Sequence, residues 1–375
     1  MSTAGRLRFY QQLAHPGAVL SLALLALLPM VAVGSLRSPS RTSAFIASID
    51  TMKVSRDTAT HPETASQIAQ AVDLCASLNT TYITVDTNWE YPAYMKEWID
   101  AIRAAGKHVW FRTQPNQWHD DNGATGIMSP SQFESAERSF IDAHPGFFRA
   151  GDIFDPISEP EDGLYWNATF PSGWSWRHAP NTYTNQFNRF ILQTTEIANR
   201  ALKANGVRGV ITNIRSVSGW WAASPKSLYN RTVDRLGNVT FDSYPEGTLT
   251  DPTAAAHARL SELAAIHAAR PDVPVIVGEM GYSDGLPVSD AQQESVIAEE
   301  LTGIRTLGYV AGLNYWVGPG TSTSGGYTHI FAGRAGAWTL RPAANDLASF
   351  FRSYLSEKRT YGLAGPVSAR HRERG

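Results

Sequence analysis

The stretch Val275-Ile276-Val277-Gly278-Glu279-Met280-Gly281-Tyr282-Ser283 has the length and composition of a buried strand: a β-branched run bounded upstream by Pro271 and Pro274. Glycines flank its end, and a carboxylate sits where the strand stops. Burying an acid there costs free energy unless something pairs it or uses it. A second stretch has the same character: Gly151-Asp152-Ile153-Phe154-Asp155-Pro156-Ile157-Ser158-Glu159-Pro160. Glu159 and Glu279 are separated by about three strand–helix units at the roughly 30 residues or more that each βαβ unit takes.

Working outward from these two stretches, strand and helix patterns alternate along the chain. Strands are expected at 44–50, 82–86, 108–112, 151–158, 209–213, 239–243, 275–278 and 310–315. Helices are expected at 62–78, 93–105, 130–143, 184–205, 252–269, 290–307 and 342–356, with a short helical turn near 225–231. Eight strands each followed by helix predict an α/β fold, a (β/α)8 TIM barrel in a single domain. A doubly wound open sheet is the rival, but no G-x-G-x-x-G or G-x-x-x-x-G-K-[ST] turn follows any strand.

The ends of the chain differ from this body. Arg6 and Arg8 precede an apolar run over 18–33, broken by Ser21 and Pro29, and Ala32-Val33-Gly34 offers small residues for cleavage. Residues 1–34 are expected to be a signal peptide or, uncleaved, a short N-terminal membrane anchor, which predicts a secreted or membrane-anchored, extracytoplasmic protein. Residues 35–43 read as a polar linker, 44–357 as the barrel, and 358–375 as a basic, disordered tail. Sequons start at Asn79, Asn167, Asn230 and Asn238.

Composition bounds the function. The 375 residues are 43% hydrophobic, ample for one large core, and a net charge of −2 gives no global field for nucleic acid. The aromatic set of 11 Trp, 14 Tyr and 15 Phe suits both packing and a cleft that stacks on flat apolar faces such as sugars. The single cysteine, Cys75, lies in an apolar helical pattern with Ile68, Ala71, Val72 and Leu78, so it reads as a small buried hydrophobe.

In a barrel the C-terminal strand ends converge on one face, so Glu159 and Glu279 are expected to meet there. Two carboxylates across such a mouth are the equipment for glycoside hydrolysis, one protonated as donor and the other ionised. Ser158-Glu159-Pro160 resembles the Asn-Glu-Pro acid/base motif of the clan A glycoside hydrolases, the retaining "4/7" barrels that include family 5. Gly278-Glu279 with Gly281 is similar to their nucleophile motif. Asp242-Ser243-Tyr244-Pro245 resembles the stretch where the clan keeps a tyrosine on the nucleophile, and Asn314-Tyr315-Trp316 its sugar-platform tryptophan.

The resemblance implies a retaining β-glycosidase with Glu159 as general acid/base and Glu279 as nucleophile, a carbohydrate partner, and neither cofactor nor metal. Asp86, Asn88 and Trp89, Arg112 and Gln114, Ser158, Trp166, Asn213, Tyr244 and Trp316 are the expected substrate-binding residues, with Asn116, Trp220 and Trp221 as further candidates on loops. An arginine at position 112 favours the ionised form of a neighbouring carboxylate, or pairs Asp86 structurally. Glu161 is the rival acid. Trp118-His119-Asp120-Asp121 invites a metal reading but fits a solvated loop better. One departure stands out: Ser158 replaces the clan's asparagine, and its shorter hydroxyl reaches a sugar 2-hydroxyl only through water or a shifted substrate. That keeps open a catalytically silent carbohydrate-binding barrel.

Overall fold

The computed structural model describes residues 41–115, 128–161, 179–245, 249–282, 287–320, 328–357 and 361–363. The segments 1–40 and 364–375, and with them the expected signal or anchor and most of the tail, lie outside the described residues, as do Asn116, the Trp118–Asp121 run, Trp166 and Asn167. Among the described residues no helix is long and apolar enough to cross a membrane.

Eight parallel strands form one sheet: β1 (Ile46–Asp50), β2 (Tyr82–Val85), β3 (His108–Phe111), β4 (Ile153–Phe154), β5 (Ser216–Ser218), β6 (Val239–Ser243), β7 (Val275–Met280) and β8 (Val310–Tyr315). Their order is 4-3-2-1-8-7-6-5, with β1 paired to both β2 and β8. Between β4 and β5 the ring is joined by the residues ahead of β5: Phe154 N donates to Ile211 O and Ile211 N to Asp152 O, both at 2.8 Å. The fold is the (β/α)8 barrel that the alternation predicts.

Helices α1 (Ala65–Ser77), α2 (Pro92–Ala104), α3 (Pro130–Ala143), α4 (Thr182–Ala204), α5 (Asn230–Leu236), α6 (Pro252–Ala269), α7 (Asp290–Arg305) and α8 (Ala343–Ser356) alternate with the strands. Their starts are written in the sequence. Thr64, Ser129 and Asn181 form capping boxes with Gln67, Gln132 and Thr184, and Asp251 and Ser289 accept from the amides of Ala254 and Gln292. Inward faces follow the 3.6 period; in α4 they are Phe187, Phe190, Ile191, Thr194, Ala198 and Ala201. Cys75 is fully buried in α1, and burial pushes its thiol up, so it is an inert core residue.

Four expectations need correction. The 151–158 strand pairs only over Ile153–Phe154, because Pro156 has no amide to give to a ladder and Pro160 follows closely. The strand expected at 209–213 pairs with β6 only at Ser216–Ser218. The helical turn near 225–231 becomes α5, ended by Gly237 in the left-handed region at φ 73°. Finally, Arg41–Ser43, read as the end of a linker, pairs antiparallel with Tyr361–Leu363, read as disordered tail.

Candidate active site

The site is organised by Arg112, which leaves β3 and is 1% exposed. Its Nη1 lies 2.6 Å from Glu279 Oε1 and 3.7 Å from Asp50 Oδ2, and its Nη2 lies 2.8 Å from Asp242 Oδ2. Nη1 also donates to the Gly278 carbonyl at 3.2 Å. Burial works against the charged guanidinium, yet Asp242, Glu279, Asp86 and Asp50 together hold its pKa well above the ordinary arginine value. Arg112 therefore pairs several acids at once, and not Asp86 alone.

Glu279 is held from two sides. Arg112 takes Oε1, and the Tyr244 hydroxyl donates to Oε2 at 3.1 Å. Gly278, the residue before it, has no room for a side chain: a Cβ there would lie 2.2 Å from Ser216 Oγ and 2.5 Å from Asp242 Oδ1. Glycine lets β7 lie against β5 and β6 at this level. Beneath the site runs a polar chain across the barrel interior. Asn314 Nδ2 donates to Asp50 Oδ2 and to the Gly278 carbonyl, both at 3.0 Å, and Asn314 Oδ1 accepts from the Thr84 hydroxyl at 3.0 Å.

Glu159 reaches the same place from a turn. Its φ is 45°, in the left-handed region that a non-glycine residue enters at a cost. Its amide donates to the Ser216 carbonyl at 3.1 Å, which ties the turn to β5. The carboxylate is half-buried, and one oxygen each from Glu159, Asp242 and Glu279 fall within 4.8 Å of one another. Among the described residues these three are the set able to share a cation, and Arg112 already stands beside two of them. Glu161, the rival acid, is buried and accepts from the Ser218 amide, an attachment that fixes β5.

Asp242 is 3% exposed. Burial pushes its carboxyl well above the usual carboxylate range, with Glu279, Glu159 and Asp155 adding to the effect and Arg112 opposing it. Asp86 is raised well above that range by burial and by Asp50, and Asp50 itself is raised by burial and by Glu279. One guanidinium does not neutralise so many buried acids, so Asp50, Asp86 and Asp242 hold their protons more tightly than free carboxyls do.

The expected binding residues divide. Arg112, Tyr244, Glu159 and Glu279 come together, with Asp86 beside Asp50. Trp316 stands edge-on to Tyr244 at 6.1 Å with Lys53 over its ring at 5.6 Å, and its buried Nε1 has no acceptor among the described residues. Gln114 is buried, with Oε1 unpartnered among the described residues, and Ser158 is half-buried next to Glu159. Asn88 is buried at the exit of β2.

Trp89 and Asn213 are corrections. Trp89 stacks on Phe140 at 4.8 Å and its indole N–H goes to Thr113 Oγ1, so it packs β2 against α3. Asn213 gives its amide to the Leu236 carbonyl, ahead of β6, because the β5 ladder starts three residues further on. Trp221 is likewise core, against Phe187 at 4.7 Å. Of the sequons, Asn238 is buried, and the Asn79 amide is bonded to the Ala348 carbonyl at 3.0 Å.

Two residues were missed as site candidates. Asp50 ends β1 and Asp242 sits near the end of β6, so the rule that singled out Glu279, an acid at a strand end, applies to both.

No family model matches the chain, and no curated protein sequence matches it. Solved structures do. A GH5_18 protein from Bifidobacterium longum subsp. infantis aligns with a TM-score of 0.59 at 12% identity, over 86% of this chain and 81% of that one. The exo-β-1,4-mannosidase Op5Man5 from Opitutaceae bacterium strain TAV5 aligns at 0.61 and 12%, over 84% and 61%. A single-substitution GH5_18 variant from Bifidobacterium longum subsp. longum ATCC 55813, in complex with Manβ1-4GlcNAc, aligns at 0.56 and 10%, over 85% and 84%. What the chain shares with these proteins is the (β/α)8 barrel fold.

Proposed function

We propose that this chain is a retaining glycoside hydrolase acting on β-linked glycans or β-glycosides, with Glu279 as nucleophile and Glu159 as general acid/base. The observation that carries the reading is the approach of the two carboxylates. Their oxygens lie within 4.8 Å, in keeping with the spacing of about 5–5.5 Å for retention and short of the roughly 6.5–9.5 Å that leaves room for an inverting water. The glycosidase neighbours, one of them holding a disaccharide, support a carbohydrate substrate.

In the first step a Glu279 oxygen attacks the anomeric carbon while the leaving oxygen takes the Glu159 proton, giving a glycosyl ester and a free alcohol. In the second, Glu159 takes a proton from water, the water oxygen attacks the anomeric carbon, and the ester bond breaks. Arg112 and Tyr244 hold both Glu279 oxygens, so the nucleophile's orientation is fixed before substrate arrives. Trp316 is the sugar platform in this reading, and Ser158 meets the 2-hydroxyl through water.

Azide separates the roles. Glu159→Ala is expected to keep its first step on activated aryl β-glycosides, stall at the glycosyl-enzyme, and be rescued by azide to a β-glycosyl azide. Glu279→Ala is expected to give the α-azide. The same anomer from both, or no azide response from either folded variant, sinks the assignment. A sugar-binding barrel without turnover is favoured by Ser158 alone. Sugar binding by a wild-type chain that cleaves no activated β-glycoside would establish it.

We also propose export, with 18–33 as signal or anchor. Finding the chain in the cytoplasmic fraction of its host would refute it.

A further inference from the structure

The opposite end of the barrel carries a feature that glycoside cleavage does not use. Arg103, Lys107, His108 and Arg149 line a pocket of about 210 Å³ together with Gly106, Ala150 and Asp152. Arg103 belongs to the last turn of α2, Lys107 and His108 to the entry of β3, and Arg149 and Ala150 to the approach to β4. These are N-terminal strand ends, so the pocket opens on the face of the barrel away from Glu159 and Glu279.

The charge of the lining is not balanced from within. Asp152 is its one acid, and it is already fully engaged. Oδ1 accepts from the Val109 amide at 3.0 Å; Oδ2 accepts from Arg103 Nη2 at 3.0 Å and from the Arg149 amide at 2.8 Å. Asp152 thus offsets Arg103, with the His108 ring 3.7 Å from its Oδ1, and no charge is left over for Lys107 or the Arg149 guanidinium. Lys107 gives a hydrogen bond to the neutral Thr80 carbonyl at 2.8 Å and has no acid paired with it among the described residues. The Arg103 Nε is buried and has no acceptor among the described residues. What remains at the lining is a surplus of cationic donors, which calls for a ligand with several acceptor oxygens and negative charge.

The backbone is shaped to the same end. Gly151 has φ +94°, and a Cβ on it would lie 2.5 Å from His108 Cε1, so glycine is what allows the imidazole to lie flat against this wall. The ring is further tilted over Tyr82 at 5.4 Å. Gly106 has φ +72° and open space where a side chain would be. Burial lowers the pKa of Arg103 and of Lys107 from their ordinary values, so both cations are partly stripped of water before any ligand arrives. The volume is below the roughly 300–1,000 Å³ of organic-ligand pockets. It suits one oxyanion group and not a sugar ring.

We propose that this pocket binds a phosphate group, either as the free ion or as the headgroup of an anionic lipid. Arg149 and Lys107 supply the charge that reaches the ligand, and Arg103 is fixed behind them by Asp152.

The test uses the whole 375-residue chain and does not read turnover, so its result and that of the glycosidase reading are independent. Sodium phosphate is titrated at constant ionic strength, with chloride making up the balance, and followed by calorimetry and by thermal unfolding. A saturable heat and a rising Tm with phosphate, absent with chloride alone, are expected. Lys107→Ala/Arg149→Ala should weaken binding by about tenfold or more with the phosphate-free Tm little changed. Arg149→Gln alone should weaken it by less, and serves if the double variant does not fold.

Vesicles of phosphatidylcholine with and without phosphatidic acid separate the two sources. Extra binding to phosphatidic acid that the variants lose assigns the lipid headgroup; phosphate binding without it assigns the free ion. An equal Tm rise with chloride, or equal phosphate affinity in wild type and variants, overturns the proposal.

Discussion

At the C-terminal end of the sheet one guanidinium, Arg112, faces Asp50, Asp86, Asp242 and Glu279. At the N-terminal end one carboxylate, Asp152, faces Arg103, His108 and the Arg149 amide. The arrangements are near mirror images in charge, but they differ in how completely the central group is served. Asp152 has donors on both oxygens. Around Arg112, Asp242 Oδ1 and Asp86 Oδ2 are buried with no donor among the described residues. A fully served buried ion holds the chain together; under-served ones are tolerated where chemistry needs them. At the base the central ion is served on both oxygens, and the orphan is a donor behind it, Arg103 Nε; at the mouth the orphans include the acids themselves, beside the glutamates that the proposed function would use.

The comparison breaks first at Glu279. Glu279→Gln is expected to lower kcat/KM by several orders of magnitude, since it deletes the group that serves as nucleophile in the proposed mechanism. Unfolding in urea should change little, because Asp242 and Asp50 still face Arg112. A large loss of stability in this variant would mean that the mouth is structural after all.

Arg112→Ala comes next. It leaves several buried acids without their cation, and a loss of about 3–5 kcal/mol is expected from urea unfolding. Arg112→Lys should recover only part of it, because an ammonium does not reproduce the fork to Glu279 and Asp242.

At the base, Asp152→Ala strands the Val109 and Arg149 amides and unpairs Arg103. A cost of about 2–3 kcal/mol is expected, with kcat/KM of the folded protein unchanged. A catalytic defect there would erase the distinction between the two ends.

The smallest effect is expected at Asp242, and it lies in the pH dependence. Its pKa is raised well above the ordinary 3.8 by burial, so the native chain keeps a proton that the unfolded chain has lost. The stability this gives is fully present below 3.8 and is lost as pH rises through the raised value. Asp242→Asn should therefore flatten the decline of the urea midpoint with rising pH and cost less than Arg112→Ala. A loss equal to that of Arg112→Ala would mean that Asp242 acts as a charged partner throughout.

The alternation of strand and helix was legible because each helix carries its own start signal and each strand its β-branched run. Strands β4 and β5 were the least legible. Prolines interrupt the first, and the second pairs with its neighbour beyond Asn213, at serines whose burial only the closed ring dictates. The site was legible where a residue type has one expensive explanation, as with Glu279, and where a short motif placed Glu159 and Tyr244. It was misread at Trp89 and Trp221, since nothing local tells a tryptophan that meets a sugar from one that meets a phenylalanine on the next helix. Asp50 and Asp242 carried the same strand-end signal that singled out Glu279 and Asp86, and it was not applied to them.

The left-handed backbone at Glu159 has a consequence for the history of such a chain. A side chain there costs about 1–3 kcal/mol that glycine or asparagine would largely avoid, whereas Glu279 lies in regular β7. In a lineage that stopped using the site, drift at position 159 would be rewarded by stability, while position 279, in regular strand, would be under no such pressure to change. If the proposed function holds, descendants that lose activity should therefore lose Glu159, the proposed proton donor, first, and a barrel carrying the second glutamate without the first would be the mark of that descent.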